Sequence, residues 1–164
     1  MGRPFGAWVL AHVFFQHGPA CLWQSDVYTH GQNGADFLYG AMFVDGRNTY
    51  RLTGRMGDLS LFLLQTHYGF PGDPDFKYMG NYDWNDFEIA EDGSFEVILS
   101  AEQHSGNWIQ LAPDNDYQFI QIRRALPDWH GDQGHLDVKL VNAIDDDYYN
   151  REEFAEDAIA LRTG

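Results

Sequence analysis

From Asp36 to Asn142 apolar and polar residues trade places at every second position, in short segments closed by turn residues. In SFEVILS (94–100) Phe95, Val97 and Leu99 share one face and Glu96 and Ser100 the other, with Ile98 breaking the pattern. In HLDVKLVN (135–142) Leu136, Val138 and Leu140 oppose Asp137 and Lys139. Six more segments read as strands: DFLYGAMFV (36–44), TYRLTGR (49–55), LSLFLLQTHY (59–68), DFEIAE (86–91), NWIQL (107–111) and YQFIQIRRAL (117–126). VDGRN (44–48) and EDGS (91–94) carry Asp-Gly pairs, the dipeptide that supplies the positive φ of a tight hairpin, and FPGDPD (70–75) and APDND (112–116) mark wider loops. Eight half-buried segments of this kind predict a mainly β fold, an antiparallel β-sandwich or jelly roll over residues 31–145.

The two ends differ from this middle. In NREEFAEDAIALRTG (150–164) Phe154, Ala158 and Leu161 recur at helical spacing, with Glu152 and Glu153 near the start and Arg162 near the end, matching a helix dipole. An amphipathic helix over 146–164 is therefore expected, and with nothing after it to pack against it reads as the opening of a further segment. Residues 1–30 carry one early cation, Arg3, and an apolar stretch from Ala7 to Phe15 interrupted by His12, too short to span a bilayer. That stretch has the length of a secretory signal, but no small-residue cleavage box follows, and GPAC ending at Cys21 has Gly18 where a lipoprotein box has an aliphatic residue. A cytoplasmic location is the expectation, with export as the alternative. Cys21 stands alone, so the chain forms no internal disulfide and no thiolate cluster, and the fold must rest on packing.

Charge narrows the partners. With 25 acidic and 10 basic residues the formal charge is −15, which repels phosphate backbones and anionic lipid, so nucleic acid and membrane are not expected.

Several stretches also carry a resemblance. YRLTGR at Tyr50 to Arg55, DGSFEV at Asp92 to Val97, GNW at Gly106 to Trp108 and an arginine strand running into Asp128 and Trp129 resemble bacterial proteins of the domain-of-unknown-function family numbered 1214, often paired with family 1254. The likeness runs from about Asn33 to Val141. It implies a β-sandwich or jelly roll, in members that have flanking helices and further β sequence, and it brings no activity and no functional residue.

Candidate chemistry gathers on the strand 117–126. If Ile120 and Ile122 face the core, Tyr117, Phe119, Gln121 and Arg123 line the other face, a row of apolar walls with a few directional donors. Trp108 at a strand start offers a flat platform for a sugar or aromatic ring. The plainer reading has Trp108 plugging the core, Arg123 paired with an acid and the aromatics covering a second apolar layer. DWHGDQGHLDV (128–138) holds His130 and Asp132 as an H-x-D, the first part of a two-histidine, one-carboxylate metal triad. The third ligand would be His67 or His104, both upstream, because His135 follows too closely; no H-x-H occurs, and Gly131 and Gly134 suit an ordinary loop. Asp83 and Asp86 flank Trp84 but nothing fixes their separation in space. No nucleophile elbow, phosphate loop or dinucleotide fingerprint is present. The expectation is a module that binds a small organic or carbohydrate-like ligand, without a cofactor. Two alternatives stand beside it: a metal-assisted enzyme using His130 and Asp132, and an interaction domain that packs on a companion domain or forms a homo-oligomer.

Overall fold

The computed structural model describes residues 21–25, 37–69, 73–115 and 118–142, with side chains between 37 and 141. The expected helix at 146–164, the segment 1–20 and Tyr117 lie outside the described residues. Nine strands follow one another within them: β1 (Cys21–Ser25), β2 (Phe37–Val44), β3 (Thr49–Arg55), β4 (Leu61–Tyr68), β5 (Lys77–Asp83), β6 (Ser94–Ser100), β7 (Trp108–Gln110), β8 (Gln118–Ala125) and β9 (His135–Asn142). A wide sheet runs β1-β2-β8-β4-β5 and a narrow one β7-β6-β3-β9.

The two sheets share one core. Tyr50, Leu52, Val97, Leu99 and Ile109 from the narrow sheet meet Met42, Phe62, Leu64, Ile120 and Ile122 from the wide one, all essentially inaccessible. The rings of Phe62 and Phe95 touch across the layers at 5.4 Å between centroids. These residues alternate along each strand because successive side chains in extended backbone point to opposite faces, and only one face of each strand reaches the core. At its own depth Tyr50 brings a hydroxyl, which accepts the Asp45 N–H at 2.9 Å, while the Asp45 carboxylate holds the Arg47 guanidinium. The corner between β2 and β3 is thus closed by polar groups that satisfy one another.

Three expectations need correcting. The segment 86–91 is not a strand: Trp84–Asp86 forms a single 3-10 turn and the chain continues without ladder pairing. Its alternation is real, since Phe87 is buried and Ile89 packs on the core, but in place of a ladder Ala90 bonds to Ser94 backbone and Glu88 to a side chain. The Asn107 amide accepts the Glu88 N–H at 2.7 Å and donates to the Glu88 and Glu96 carbonyls at 2.9 Å each. Second, pairing is not wholly antiparallel, because β7 runs parallel to β6. Third, the sequence reading leaves out β1, which pairs with β2, and β5, which forms the outer edge beside β4.

A second carboxamide does similar work at the start of β8. Gln118, buried, accepts the Ala112 N–H at 2.9 Å and donates to the Ala112 carbonyl at 3.1 Å, imitating a ladder pair. A side chain at Gly46 would overlap the Ala112 carbonyl oxygen, so glycine lets the β2–β3 turn seat against the same residue. Replacing Gln118 with leucine keeps the volume but strands the Ala112 N–H, at about 1–3 kcal/mol, while the Ala112 carbonyl keeps the Asn115 N–H at 3.2 Å. Urea unfolding of Gln118→Leu is therefore expected to show a loss of about 1–3 kcal/mol, and a loss below about 0.5 kcal/mol would show that the clamp is ornamental.

Candidate functional site on the outer face of the wide sheet

The register of the wide sheet places the sequence-derived row into a lattice of partners. Across the middle, Ala41, Gln121, Gln65 and Asn81 are consecutive neighbours on β2, β8, β4 and β5. Three carboxamides therefore stand side by side. One row toward the Ala125 end, Tyr39, Arg123, Leu63 and Asp83 are neighbours in the same way. One row toward the other end come Phe43 and Phe119, with ring centroids 5.6 Å apart. Ile120 and Ile122 do face the core, as the sequence predicts, and Phe119, Gln121 and Arg123 are half-buried on the opposite face.

His67 extends the aromatic row. Its ring stacks on Phe119 at 5.4 Å and on Phe76 at 5.0 Å, and meets the edge of Tyr78 at 6.2 Å. Nδ1 lies 3.2 Å from the Phe119 carbonyl oxygen, so the Nδ1–H tautomer donates there. Burial holds the imidazole below its ordinary pKa and the nearby positive charge of Arg123 adds to the effect, against the opposing pull of the Phe119 carbonyl. A bulge between Thr66 and His67 turns this corner of β4 toward β5. The Arg123 guanidinium donates from Nη2 to Gln121 Oε1 at 2.7 Å, which orients both groups along the sheet.

Trp108 does not belong to this surface. It lies on β7 of the narrow sheet, half-buried, and its indole N–H donates to the Ser100 carbonyl and hydroxyl at 3.2 and 3.1 Å. Beside it an open depression of about 580 Å³ is lined by Thr53, Glu88, Ser94, Glu96, Ile98 and Asn107 among others. Asn107 is occupied there by backbone, and Glu96 pairs with Arg51 at 3.4 Å.

The histidine and aspartate candidates are not brought together either. Asp132 accepts the Gly134 N–H at 2.9 Å and pairs with Arg55 Nη1 at 2.7 Å, while its own N–H donates to Asp58 at 2.8 Å. Arg55 and the Gly134 N–H hold the Asp132 carboxyl below the usual carboxylate range. The loop holding His130 follows Ala125 at one end of β8, whereas His67 sits beside Phe119 at the other, about 20 Å away at a strand's rise per residue. His104, exposed, follows the Ser100 end of β6, which lies beside Tyr50, while Arg55 marks the opposite end of β3. Among the described residues no group of three or more His, Cys, Asp or Glu has the arrangement of a metal site. A side chain at Gly134, where φ is +68°, would overlap the Arg55 carbonyl, so this loop is seated directly on the β3–β4 turn. Asp83 and Asp86 serve a cap: Asp83 accepts the Asn85 N–H at 2.7 Å and Asp86 accepts the Asp83 N–H at 2.8 Å.

The described architecture is that of a mainly β protein with two sheets packed face to face. No protein-family model and no curated protein matches the chain. Among solved structures it is similar to an uncharacterized protein from Burkholderia cenocepacia, at 26% identity and a TM-score of 0.71, over 97% of this chain and 46% of that one. The chain thus spans less than half the length of that protein. Among the described residues no helix is long and apolar enough to cross a membrane.

The buried histidine gives a pH signature. Its folded pKa is depressed, so the unfolded chain binds the proton more tightly and neutral His67 stabilises the fold fully above about pH 6.5. That contribution is lost as the pH falls below this value toward the depressed folded one. Thermal unfolding of the wild-type protein is expected to drop between about pH 7 and pH 5, and His67→Phe to flatten the drop; an equal drop in both would place its origin elsewhere.

Proposed function

We propose that the chain is a ligand-binding β-sandwich module of jelly-roll type, and that the outer face of its wide sheet takes a small hydroxyl-rich molecule of carbohydrate-like shape. The row Gln121, Gln65 and Asn81 carries this reading. Each carboxamide has both donors and an acceptor, the pairing set that a polyol's hydroxyls require, and three in line reach several hydroxyls at once. Phe119 and its neighbours supply the apolar ground on which a sugar ring's C–H face rests. The passage of the chain from one sheet to the other at β2–β3, β3–β4 and β8–β9 favours the jelly-roll assignment. We place the chain with the family numbered 1214 on the stretches between Asn33 and Val141 quoted above.

A second reading is favoured by Phe37 and Trp129, both exposed near the Ala125 end of β8. In it that end packs on a companion domain or a second copy of the chain. Sedimentation tests the second-copy form of this reading, since only self-association requires a defined oligomer.

Titration of the protein with glucose, galactose and xylose, followed by amide NMR shifts, tests the first reading. Shifts are expected on β4, β5 and β8 rather than on β6 and β7. Gln121→Ala and Asn81→Ala are each expected to weaken binding about two- to tenfold, the worth of one hydrogen bond. Absence of any shift on these strands across a range of sugars would sink the proposal.

A further inference from the structure

We infer that the ligand carries a carboxylate and that Arg123 receives it; this deepens the reading of the wide-sheet face and rests on it. The chain has 25 acids to 10 bases, so a guanidinium here finds an acidic partner easily. Arg47 pairs with Asp45 at 2.6 Å, Arg51 with Glu96 at 3.4 Å, Arg55 with Asp132 at 2.7 Å and Lys139 with Asp137 at 3.7 Å. Among the described residues Arg123 forms no such pair, and its bond is to the neutral amide of Gln121.

Geometry explains why the described carboxylate in its row does not reach it. The acid in its own row, Asp83, stands two strands away, about 10 Å at ordinary strand spacing, and its Oδ1 is held by the Asn85 N–H. A guanidinium has five N–H donors in a planar fork, and Gln121 Oε1 is the acceptor it meets here. Arg123 is half-buried with Tyr39 and Leu63 as its cross-strand neighbours, and Gln121 fixes the direction of its fork, so a carboxylate laid across the sheet meets it bidentately with little reorganisation. In a protein of charge −15 an anion is repelled at long range, and a cation outside the ion pairs of the described residues draws one to the surface at contact distance. The ligand class that satisfies the amide row, the aromatic row and Arg123 together is a small carboxylic acid with a ring, a uronic acid first and an aromatic carboxylate second.

Calorimetric titration with matched pairs tests this: glucuronate against glucose, and benzoate against benzyl alcohol. Wild-type protein is expected to bind the acid of a pair about tenfold more tightly than its neutral partner, one charge-assisted bidentate contact's worth. In Arg123→Gln the preference for the acid is lost and the two members of a pair become equal, and Arg123→Lys falls between. Unfolding midpoints confirm that both variants are folded, and the wild-type comparison decides the matter without them. Equal binding of acid and neutral partner to the wild type overturns the role of Arg123 and leaves the ligand-binding reading standing. No binding of any of the four overturns both.

Discussion

Everything in this molecule depends on the burial of alternate side chains between two sheets. Tyr50, Leu52, Val97, Leu99 and Ile109 on one side and Met42, Phe62, Leu64, Ile120 and Ile122 on the other are withdrawn from water, at about 1.5–3 kcal/mol for each large apolar side chain. With the inward set fixed, the outward set follows by parity. Gln121 and Arg123 face outward because Ile120 and Ile122 are needed inside, and Gln65 stands beside Gln121 because Leu64 stands beside Ile122. The candidate site is in this sense the reverse side of the core.

Polar side chains here act mainly as substitutes for backbone. Asn107 and Gln118 each offer an amide to a residue that has no strand to pair with, and Asp83, Asp86 and Asp132 accept N–H groups of turns. Asp92 does the same for Ser94, whose N–H and hydroxyl hold its carboxyl below the usual range. A chain so rich in acids offers many pairs that look catalytic in one dimension, and the loops' unsatisfied donors take up most of them. Arg123 differs from that background because its partner is neutral and its cross-strand neighbours are Tyr39 and Leu63.

The period of two was enough to locate most of the fold. β3, β6 and β9 fall at the residues expected from alternation and turns, and β2, β4, β7 and β8 within two residues of them. β5 was not legible because it is an edge strand: Lys77, Tyr78 and Met79 are all exposed, so no alternation marks it. β1, CLWQS, follows the leader-length apolar run and is too short to show alternation, and 86–91 alternates like a strand while Glu88 bonds to the Asn107 side chain instead of a neighbouring strand. On the candidate site, Phe119, Gln121 and Arg123 could be placed on one face from local spacing alone. Their partners Gln65, Asn81, His67 and Phe76 come from β4, β5 and the turn between them, and such non-local register is set by packing that one strand's sequence does not contain. Polar residues at alternate places in the apolar run LFLLQTHY were the available hint. Trp108 was grouped with this row on composition, and the sheet assignment of β7 separates them.

The paired lattice of β2, β8, β4 and β5 also limits how descendants of this chain can vary. Gain or loss of a single codon within β8 would exchange Ile120 and Ile122 for Gln121 and Arg123 at the interior, burying a charge and emptying the outer row in one step. Length changes are therefore expected at the connections, such as 70–75 and 101–106, and lineages should diverge there in size while the paired strands drift only by substitution.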